Sequence, residues 1–82
     1  MNLSLYYSPW CPFCIRVLNA LKKMSIDVDL RDTSKREHSQ TLRKGGGKTQ
    51  VPCLLIEKDG QEQWLYESDD IVQFLKKADA KS

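Results

Sequence analysis

The stretch Tyr7-Ser8-Pro9-Trp10-Cys11-Pro12-Phe13-Cys14 decides the fold, because it joins a strand-like segment to a helix-like one across two cysteines. Before it, apolar and polar residues alternate over positions 2–7, which predicts a first strand. After it, apolar residues recur at helical spacing over positions 12–24. Pro12 suits the first turn of a helix, where a missing amide hydrogen costs nothing. The two cysteines therefore lie at a strand-to-helix junction.

Further strands and helices alternate along the rest of the chain. Alternation over 26–30 predicts a second strand in which Ile26, Val28 and Leu30 face the core. Ser34 and Glu37 match a capping box, which predicts a polar second helix over 34–44. Three consecutive glycines at 45–47 are expected to end that helix.

The last third of the chain predicts a hairpin followed by a helix. Strands are expected over 51–56 and 62–66, joined by a turn at Asp59-Gly60. Ser68 opens the last helix, with two acidic residues in its positive first turn. The predicted order is βαβαββα, an α/β fold with a four-stranded mixed sheet and three helices. A chain of 82 residues forms one domain, which we expect at 1–78, with a tail at 79–82.

The amino-acid composition argues against a nucleic-acid-binding protein and against a membrane protein. Hydrophobic residues make up 40% and charged residues 29% of the chain, which is typical of a globular protein. The net charge is only +2 and no basic stripe is interleaved with aromatics, so we expect no nucleic-acid partner. No apolar run approaches the ~20 residues of a membrane span, and we expect no membrane partner. The absence of a secretory signal pattern at the N-terminus predicts a cytoplasmic protein.

The cysteine pair indicates thiol–disulfide exchange. A thiolate attacks a disulfide, and an ordinary cysteine is mostly protonated at neutral pH. Cys11 precedes a predicted helix, whose unpaired amide hydrogens and dipole favour negative charge. Cys14 comes one helical turn later, so that the two sulfurs can form a reversible disulfide. We predict Cys11 as the attacking thiol and Cys14 as the second thiol, with Phe13 as an apolar surface beside them.

A zinc site is the weaker interpretation of the same residues. The available ligands are Cys11, Cys14, His38 and Cys53, which do not form two close-spaced pairs. We therefore expect no metal. Cys53 sits on a predicted central strand, which favours packing over a role as a regulatory thiol. Trp10 is expected either to line a substrate groove or to pack over the cysteine loop.

The dipeptide Val51-Pro52 is a second feature of interest. Proline is disfavoured within strands except at a start, an edge or a turn. A cis bond here would expose the backbone of Val51 to an extended ligand. A trans bond at a strand start is the alternative, since only about 5–6% of such bonds are cis.

Three segments together make the chain resemble the glutaredoxin family of the thioredoxin fold, from Leu3 to about Leu75. Cys11-Pro12-Phe13-Cys14 is close to the CPYC motif of that family, and Lys48-Thr49-Gln50-Val51-Pro52 is similar to its TVP segment. Ser68-Asp69-Asp70-Ile71 is similar to the segment that opens its last helix. The resemblance implies that Pro52 is cis, that Val51 pairs with the cysteinyl part of glutathione, and that Ser68 and Asp69 hold the γ-glutamyl end.

The chain also departs from that family. Ser8 stands where glutaredoxins usually have a lysine, so Lys48 or Arg36 would bind the glycine carboxylate of glutathione. Gln50, between Lys48 and Val51, is counted with the implied glutathione-binding residues, as are Phe13 and Pro52. Tyr66-Glu67-Ser68 is similar to the Glu/Gln-Ser motif in the N-terminal domain of glutathione S-transferases.

The resemblance implies a dithiol glutaredoxin that reduces protein–glutathione mixed disulfides and protein disulfides. Glutathione would be its co-substrate, with no permanently bound cofactor, and glutathionylated proteins would be its partners. We expect a monomer. Two alternatives remain: a redoxin reduced by a thioredoxin-reductase-like flavoprotein, and a glutathione-bridged [2Fe-2S] carrier. Pro12 counts against the carrier, since its cluster-binding relatives usually lack proline there.

Overall fold

Four strands and three helices follow one another in the order predicted from the sequence. The computed structural model describes residues 1–80. Their elements are β1 (Asn2–Tyr7), α1 (Pro12–Leu21), β2 (Asp29–Asp32), α2 (Arg36–Gly46), β3 (Cys53–Lys58), β4 (Gln61–Leu65) and α3 (Ser68–Ala80). The sheet order is β2-β1-β3-β4, with β1 and β2 parallel and the other pairs antiparallel. The thioredoxin-like α/β fold, with a four-stranded mixed sheet and three helices, is confirmed.

Both faces of the sheet are buried. Leu3 and Leu5 of β1 pack with Val17 of α1 and Ile71 of α3 on one face. Tyr6 of the same strand points to the other face, where it packs with Leu42 of α2. Tyr6 is buried although the apolar and polar residues of β1 alternate, because a central strand between two helical layers has no solvent face.

Strand β2 begins later than the alternation of its residues predicts. Pairing with β1 starts only at Asp29, which lies opposite Ser4. Ile26 and Val28 still pack against the core, but from the segment that precedes the strand. Leu30 is 53% exposed, contrary to prediction, because β2 is an edge strand.

Helix α2 begins and ends differently from the prediction. Its N-cap residue is Lys35, with no side-chain cap, so the capping box predicted at Ser34 does not form. Instead, the Ser34 N–H donates to the Asp32 carboxylate at 2.9 Å. Gly47, at φ 83°, is the left-handed residue that ends the helix. Glycine is favoured in this conformation because it has no Cβ.

Gly45 and Gly46 lie inside α2 because this helix approaches the sheet closely. A Cβ on Gly45 would overlap the Trp64 ring, and a Cβ on Gly46 would overlap the Tyr66 hydroxyl. Trp64 in turn packs on Tyr6, with ring centroids 5.7 Å apart. Trp64 thus packs between α2 and the sheet.

Helix α3 continues through Ala80 and so includes the first two positions of the predicted tail. Residues 81–82, the other two, lie outside the described residues. In the part of the chain that the structure describes, no helix is long and apolar enough to span a membrane.

Candidate active site

The sheet topology brings three segments that are distant in sequence to the same end of the strands, which is called the active-site edge below. β1 ends just before the cysteine loop, and the antiparallel β3 starts at that same edge, with Tyr6 opposite Cys53. β4 is antiparallel to β3 and therefore ends there, where α3 begins at Ser68. The active-site edge therefore contains Cys11, the Val51-Pro52 segment and the first turn of α3.

Cys11 faces the Val51-Pro52 segment. It is the N-cap residue of α1 and is half-buried, whereas Cys14 is fully buried. The Cys11 Sγ lies 4.0 Å from the Val51 carbonyl oxygen, across 40 positions of sequence. The Val51-Pro52 bond is cis, as the resemblance to glutaredoxins implies. The Val51 backbone therefore lies directly beside the sulfur.

The two thiols have opposite pKa shifts. Burial raises the pKa of Cys11, but hydrogen bonds from the Cys14 N–H, the Cys14 thiol and the Phe13 N–H outweigh burial and lower it below the ordinary value. Burial raises the pKa of Cys14 to about 11, and the neighbouring Cys11 sulfur adds to that rise. At neutral pH, Cys11 is the better nucleophile of the two because it is the more ionised.

The turn before Cys11 is held by Ser8. Its carbonyl oxygen accepts from the Cys11 N–H at 3.2 Å, and its N–H donates to the Cys14 Sγ at 3.4 Å. Its hydroxyl accepts from the Trp10 N–H at 3.4 Å. Ser8, where glutaredoxins usually have a lysine, therefore positions both cysteines and supplies no charge.

Aromatic side chains next to Cys11 point to solvent. Trp10 is 88% exposed and Phe13 is 61% exposed. Of the two expectations for Trp10, packing over the cysteine loop is therefore wrong. Two large exposed rings flanking a reactive thiol are typical of a binding surface.

The segment before Val51 contains Lys48 and Gln50, the two polar residues that the resemblance to glutaredoxins implies for glutathione binding. Lys48 and Gln50 are exposed, and both line one surface cavity. The Lys48 ammonium lies 5.5 Å from the centre of the Tyr66 ring, and the Tyr66 hydroxyl donates to the Lys48 carbonyl oxygen at 3.3 Å. Tyr66 thereby holds Lys48 close to the strand that leads into Ser68. Arg36, the other candidate cation, lies at the opposite end of α2.

Asp69 is paired with a residue that the sequence did not single out. Arg16 of α1 contacts the Asp69 carboxylate at 2.7 Å, and both side chains are largely exposed. Periodicity shows only that Arg16 lies on the polar face of its helix, and the pairing depends on how α1 and α3 pack. Ser68, the first residue of α3, is half-buried beside this pair.

Cys53 is a buried structural residue, as predicted. It has no exposed surface and packs with Tyr6 and Leu42. Burial raises the pKa of its thiol to about 11, against the lowering effect of a hydrogen bond with the Tyr66 hydroxyl. Within residues 1–80, no group of three or more potential metal ligands lies together.

A cysteine pair at a helix N-terminus, facing a cis proline that opens a neighbouring strand, defines the thioredoxin-like class of proteins. Residues 5–82 match the family described as "Glutathione S-transferase, N-terminal domain". The chain belongs to this family. The transferase-like features that the sequence suggests are confirmed, whereas the assignment to glutaredoxins in particular stays a prediction.

Solved structures agree with the family. A trimeric glutathione transferase from Leishmania is 28% identical with a TM-score of 0.76, and the match covers 98% of this chain and 18% of that one. A glutathione transferase homologue from Sulfitobacter with bound glutathione is 18% identical (TM-score 0.72), covering 98% of this chain and 38% of that one. A thioredoxin-like protein is 21% identical (TM-score 0.70), covering 92% of this chain and 99% of that one. The chain thus spans well under half the length of these two transferases. No curated protein matches it.

Proposed function

We propose that this domain is a glutathione-dependent thiol–disulfide oxidoreductase in which Cys11 is the nucleophile. The observation that carries the proposal is the placement of Cys11 at a helix N-terminus, with its sulfur 4.0 Å from the carbonyl oxygen before a cis proline and with Cys14 buried behind it. Cys11 is half-buried and its pKa is lowered, while the pKa of the buried Cys14 is raised to about 11. In a pair with these different pKa values, the thiol of lower pKa attacks the substrate, and the other stays protonated until it is needed for the second step.

The first step is attack on a glutathione mixed disulfide. The Cys11 thiolate bonds to the glutathionyl sulfur, the old S–S bond breaks, and the substrate leaves as a thiolate that takes a proton from water. A second glutathione thiolate then attacks the glutathionyl sulfur on Cys11. Glutathione disulfide leaves and the Cys11 thiolate is restored, so one free glutathione is consumed for each mixed disulfide reduced.

Cys14 offers an alternative second step. When Cys11 carries glutathione, its sulfur has no negative charge and no longer raises the pKa of Cys14 electrostatically. Burial still raises the Cys14 pKa, but the hydrogen bond from the Ser8 N–H continues to favour its thiolate. The Cys14 thiol then loses its proton and attacks the Cys11 sulfur, glutathione leaves as a thiolate that takes up a proton, and the internal disulfide forms.

Glutathione would lie along the active-site edge, in contact with the cysteine loop, the Val51-Pro52 segment and the start of α3. Val51 presents its backbone beside Cys11 and pairs with the cysteinyl part. Lys48 is favoured over Arg36 for the glycine carboxylate, because Lys48 is three residues from Val51 and is held over Tyr66. Ser68 and Asp69 would receive the γ-glutamyl end, with Gln50 as a further polar contact. The bound glutathione in the Sulfitobacter homologue supports the choice of ligand.

Protein substrates would approach Cys11 over its exposed aromatic residues. In the sheet order β2-β1-β3-β4, Val51 and Ser68 lie on the β3 and β4 side of Cys11. Trp10 and Phe13 adjoin Cys11 itself and are exposed. They are therefore available to apolar residues around the target cysteine.

Transfer of glutathione to an apolar electrophile is a second candidate, favoured by the family match and by the Leishmania transferase. It requires a bound glutathione thiolate but no attack by Cys11. Conjugation of a chlorodinitrobenzene by the wild type and equally by Cys11→Ser would favour it over the oxidoreductase.

The proposal is tested by glutathione-coupled reduction of a small mixed disulfide. We expect Cys11→Ser to be inactive, Cys14→Ser to keep substantial activity, and the control Cys53→Ala to behave as the wild type. Cys53 is remote from solvent and has no part in the mechanism. Undiminished turnover by Cys11→Ser would overturn the assignment.

A further inference from the structure

Tyr66 lies between β4 and α3 and contacts the segment that leads into β3. Its hydroxyl donates to the Lys48 carbonyl oxygen at 3.3 Å, and the Lys48 ammonium lies 5.5 Å from the centre of its ring. The same hydroxyl forms a hydrogen bond with the Cys53 thiol. One side chain therefore contacts the chain on both sides of the residues that face Cys11.

The backbone of residues 48–51 has few other contacts that fix it. These residues lie outside the helices and strands, and Lys48, Thr49 and Gln50 are exposed. Within residues 1–80, their backbone forms no hydrogen bond with other backbone groups. Side chains supply two: Lys48 accepts from Tyr66, and Val51 accepts from the Cys11 thiol at the long distance of 4.0 Å.

The two ends of this segment are held differently. At its end, the Val51 side chain packs on a buried cluster, and Cys53 pairs with Tyr6 of the neighbouring strand β1. The sheet therefore fixes Cys53 whether or not its thiol contacts Tyr66. At the start of the segment, the Lys48 carbonyl oxygen depends on the Tyr66 hydroxyl.

Helix α2 fixes the place of that hydroxyl. A Cβ on Gly46 would overlap it, so the end of the half-buried Tyr66 ring packs directly on the helix backbone. A hydroxyl confined in this way holds its acceptor in one arrangement. A segment that is ordered before its ligand arrives loses less conformational freedom on binding, which raises the affinity.

We propose that Tyr66 is a positioning residue that orders residues 48–51 for the binding of glutathione. It acts through Lys48 and Val51, which would meet the glycine carboxylate and the cysteinyl part, and it does not act through Cys11. This inference rests on the proposed function and deepens it. It predicts that Tyr66 favours thiols with the glutathione backbone over small thiols that do not reach residues 48–51.

The test compares two measurements, neither of which needs turnover. Calorimetry measures the binding of S-methylglutathione, which would lie along residues 48–51. The rate of Cys11 alkylation by iodoacetamide, a small reagent without a peptide backbone, measures the state of the nucleophile. Tyr66→Phe removes the hydroxyl and keeps the ring beneath Lys48. Tyr7→Phe is the matched control, because it removes the hydroxyl of another half-buried tyrosine, on β1.

We expect Tyr66→Phe to bind S-methylglutathione about threefold to tenfold more weakly, the effect of losing one hydrogen bond. Its alkylation rate should equal that of the wild type, because iodoacetamide makes no use of residues 48–51. Tyr7→Phe should change neither quantity.

Gly46→Ala is an independent variant, because it displaces the Tyr66 hydroxyl without removing it. It should weaken S-methylglutathione binding by a similar factor. In Gly46→Ala/Tyr66→Phe, the loss should be close to that of Tyr66→Phe alone, since both changes act on one contact. Losses that multiply in the double variant would contradict a shared contact and overturn the inference.

A parallel fall in binding and in the alkylation rate of Tyr66→Phe would show a merely structural role and overturn the inference. Unchanged binding in this variant, or no binding by the wild type, would overturn it as well. Turnover of a mixed disulfide, measured separately, decides the proposed function. Weaker binding by Tyr66→Phe, together with a wild type that has no turnover, would remove the oxidoreductase assignment and leave the role of Tyr66 standing.

Discussion

Two cysteines three positions apart acquire different chemistry from their surroundings. Cys11 sits at the N-cap of α1, where the N–H groups of Phe13 and Cys14 stabilise its thiolate. Cys14 is one turn inside the helix and fully buried, and burial disfavours its charged form. The sequence predicts this difference from position alone, because a residue before a helix meets unpaired amide hydrogens and a residue within it does not.

Alkylation of Cys11 as a function of pH tests this difference. We expect the rate with iodoacetamide to titrate below the pKa of an ordinary thiol, about 8.5. In Cys14→Ala the midpoint should move upward, because the hydrogen bond from the Cys14 thiol is lost. Cys53→Ala is the control and should leave the midpoint unchanged. A midpoint in the wild type at or above 8.5 would contradict the account of the helix N-terminus.

Trp10→Ala tests the aromatic surface beside the nucleophile. Removing a ring that is 88% exposed should leave folding intact and take away apolar contact with a protein substrate. We expect the KM for a glutathionylated peptide with apolar flanking residues to rise about threefold to tenfold, a modest loss of buried area. The KM for a small mixed disulfide should not change.

Leu30→Ala serves as the matched control, since Leu30 is also exposed but lies on edge strand β2. An equal rise in KM for the peptide and the small disulfide would mean that Trp10 shapes the cysteine loop and does not bind substrate.

At the scale of elements, helix α2 shows what the sequence could not reveal. The sequence shows that this helix is polar, and Leu42 is its one buried residue. The two glycines read as a helix stop are instead required by the close approach of Trp64 and Tyr66. These contacts join residues at least 19 positions apart in sequence. Rules for helix capping and turns use neighbouring residues only, so they do not predict such contacts.

The variant Gly45→Ala tests whether Gly45 is present to end the helix or to allow the close approach of Trp64. Alanine favours a helix over glycine by about 1 kcal/mol, so a mere helix-stop role would allow stabilisation. Overlap with the Trp64 ring instead predicts a loss of about 2–3 kcal/mol in the free energy of unfolding. Urea unfolding measures the change, with exposed Gln40→Ala on the same helix as the control, expected within about 0.5 kcal/mol of wild type.

The double variant Gly45→Ala/Trp64→Leu should be less unstable than the sum of its single changes, because the clash is gone. Strict additivity would contradict the close packing of Gly45 on Trp64.

Across the whole molecule, the fold and the position of Cys11 at the start of α1 were predictable, and the pairing of polar side chains was not. The order βαβαββα, the cis Val51-Pro52 bond and the place of Cys11 all follow from local motifs or from the resemblance that they support. The pairing of Arg16 with Asp69 depends on the relative placement of α1 and α3, which periodicity does not encode. The family match likewise draws on residues 5–82, well beyond the short motifs.

Stability at alkaline pH reports on the buried thiols. The pKa of Cys53 is raised to about 11 by burial, so the unfolded state loses its proton first as the pH rises. The stabilisation is complete below the ordinary thiol pKa and is lost as the pH approaches 11. We expect the free energy of unfolding to fall more steeply between pH 8.5 and about 11 in wild type than in Cys53→Ala. Parallel curves, measured by urea unfolding under reducing conditions, would contradict this burial effect.

The central claim is that Cys11 is the residue that exchanges its thiol with glutathione. The most direct measurement is peptide mapping by mass spectrometry of Cys14→Ser after treatment with glutathione disulfide. The account predicts one glutathionyl group, on Cys11, and none on the buried Cys53. It also predicts that the wild type yields an internal Cys11–Cys14 disulfide. An adduct on Cys53, or no adduct at all, would contradict it.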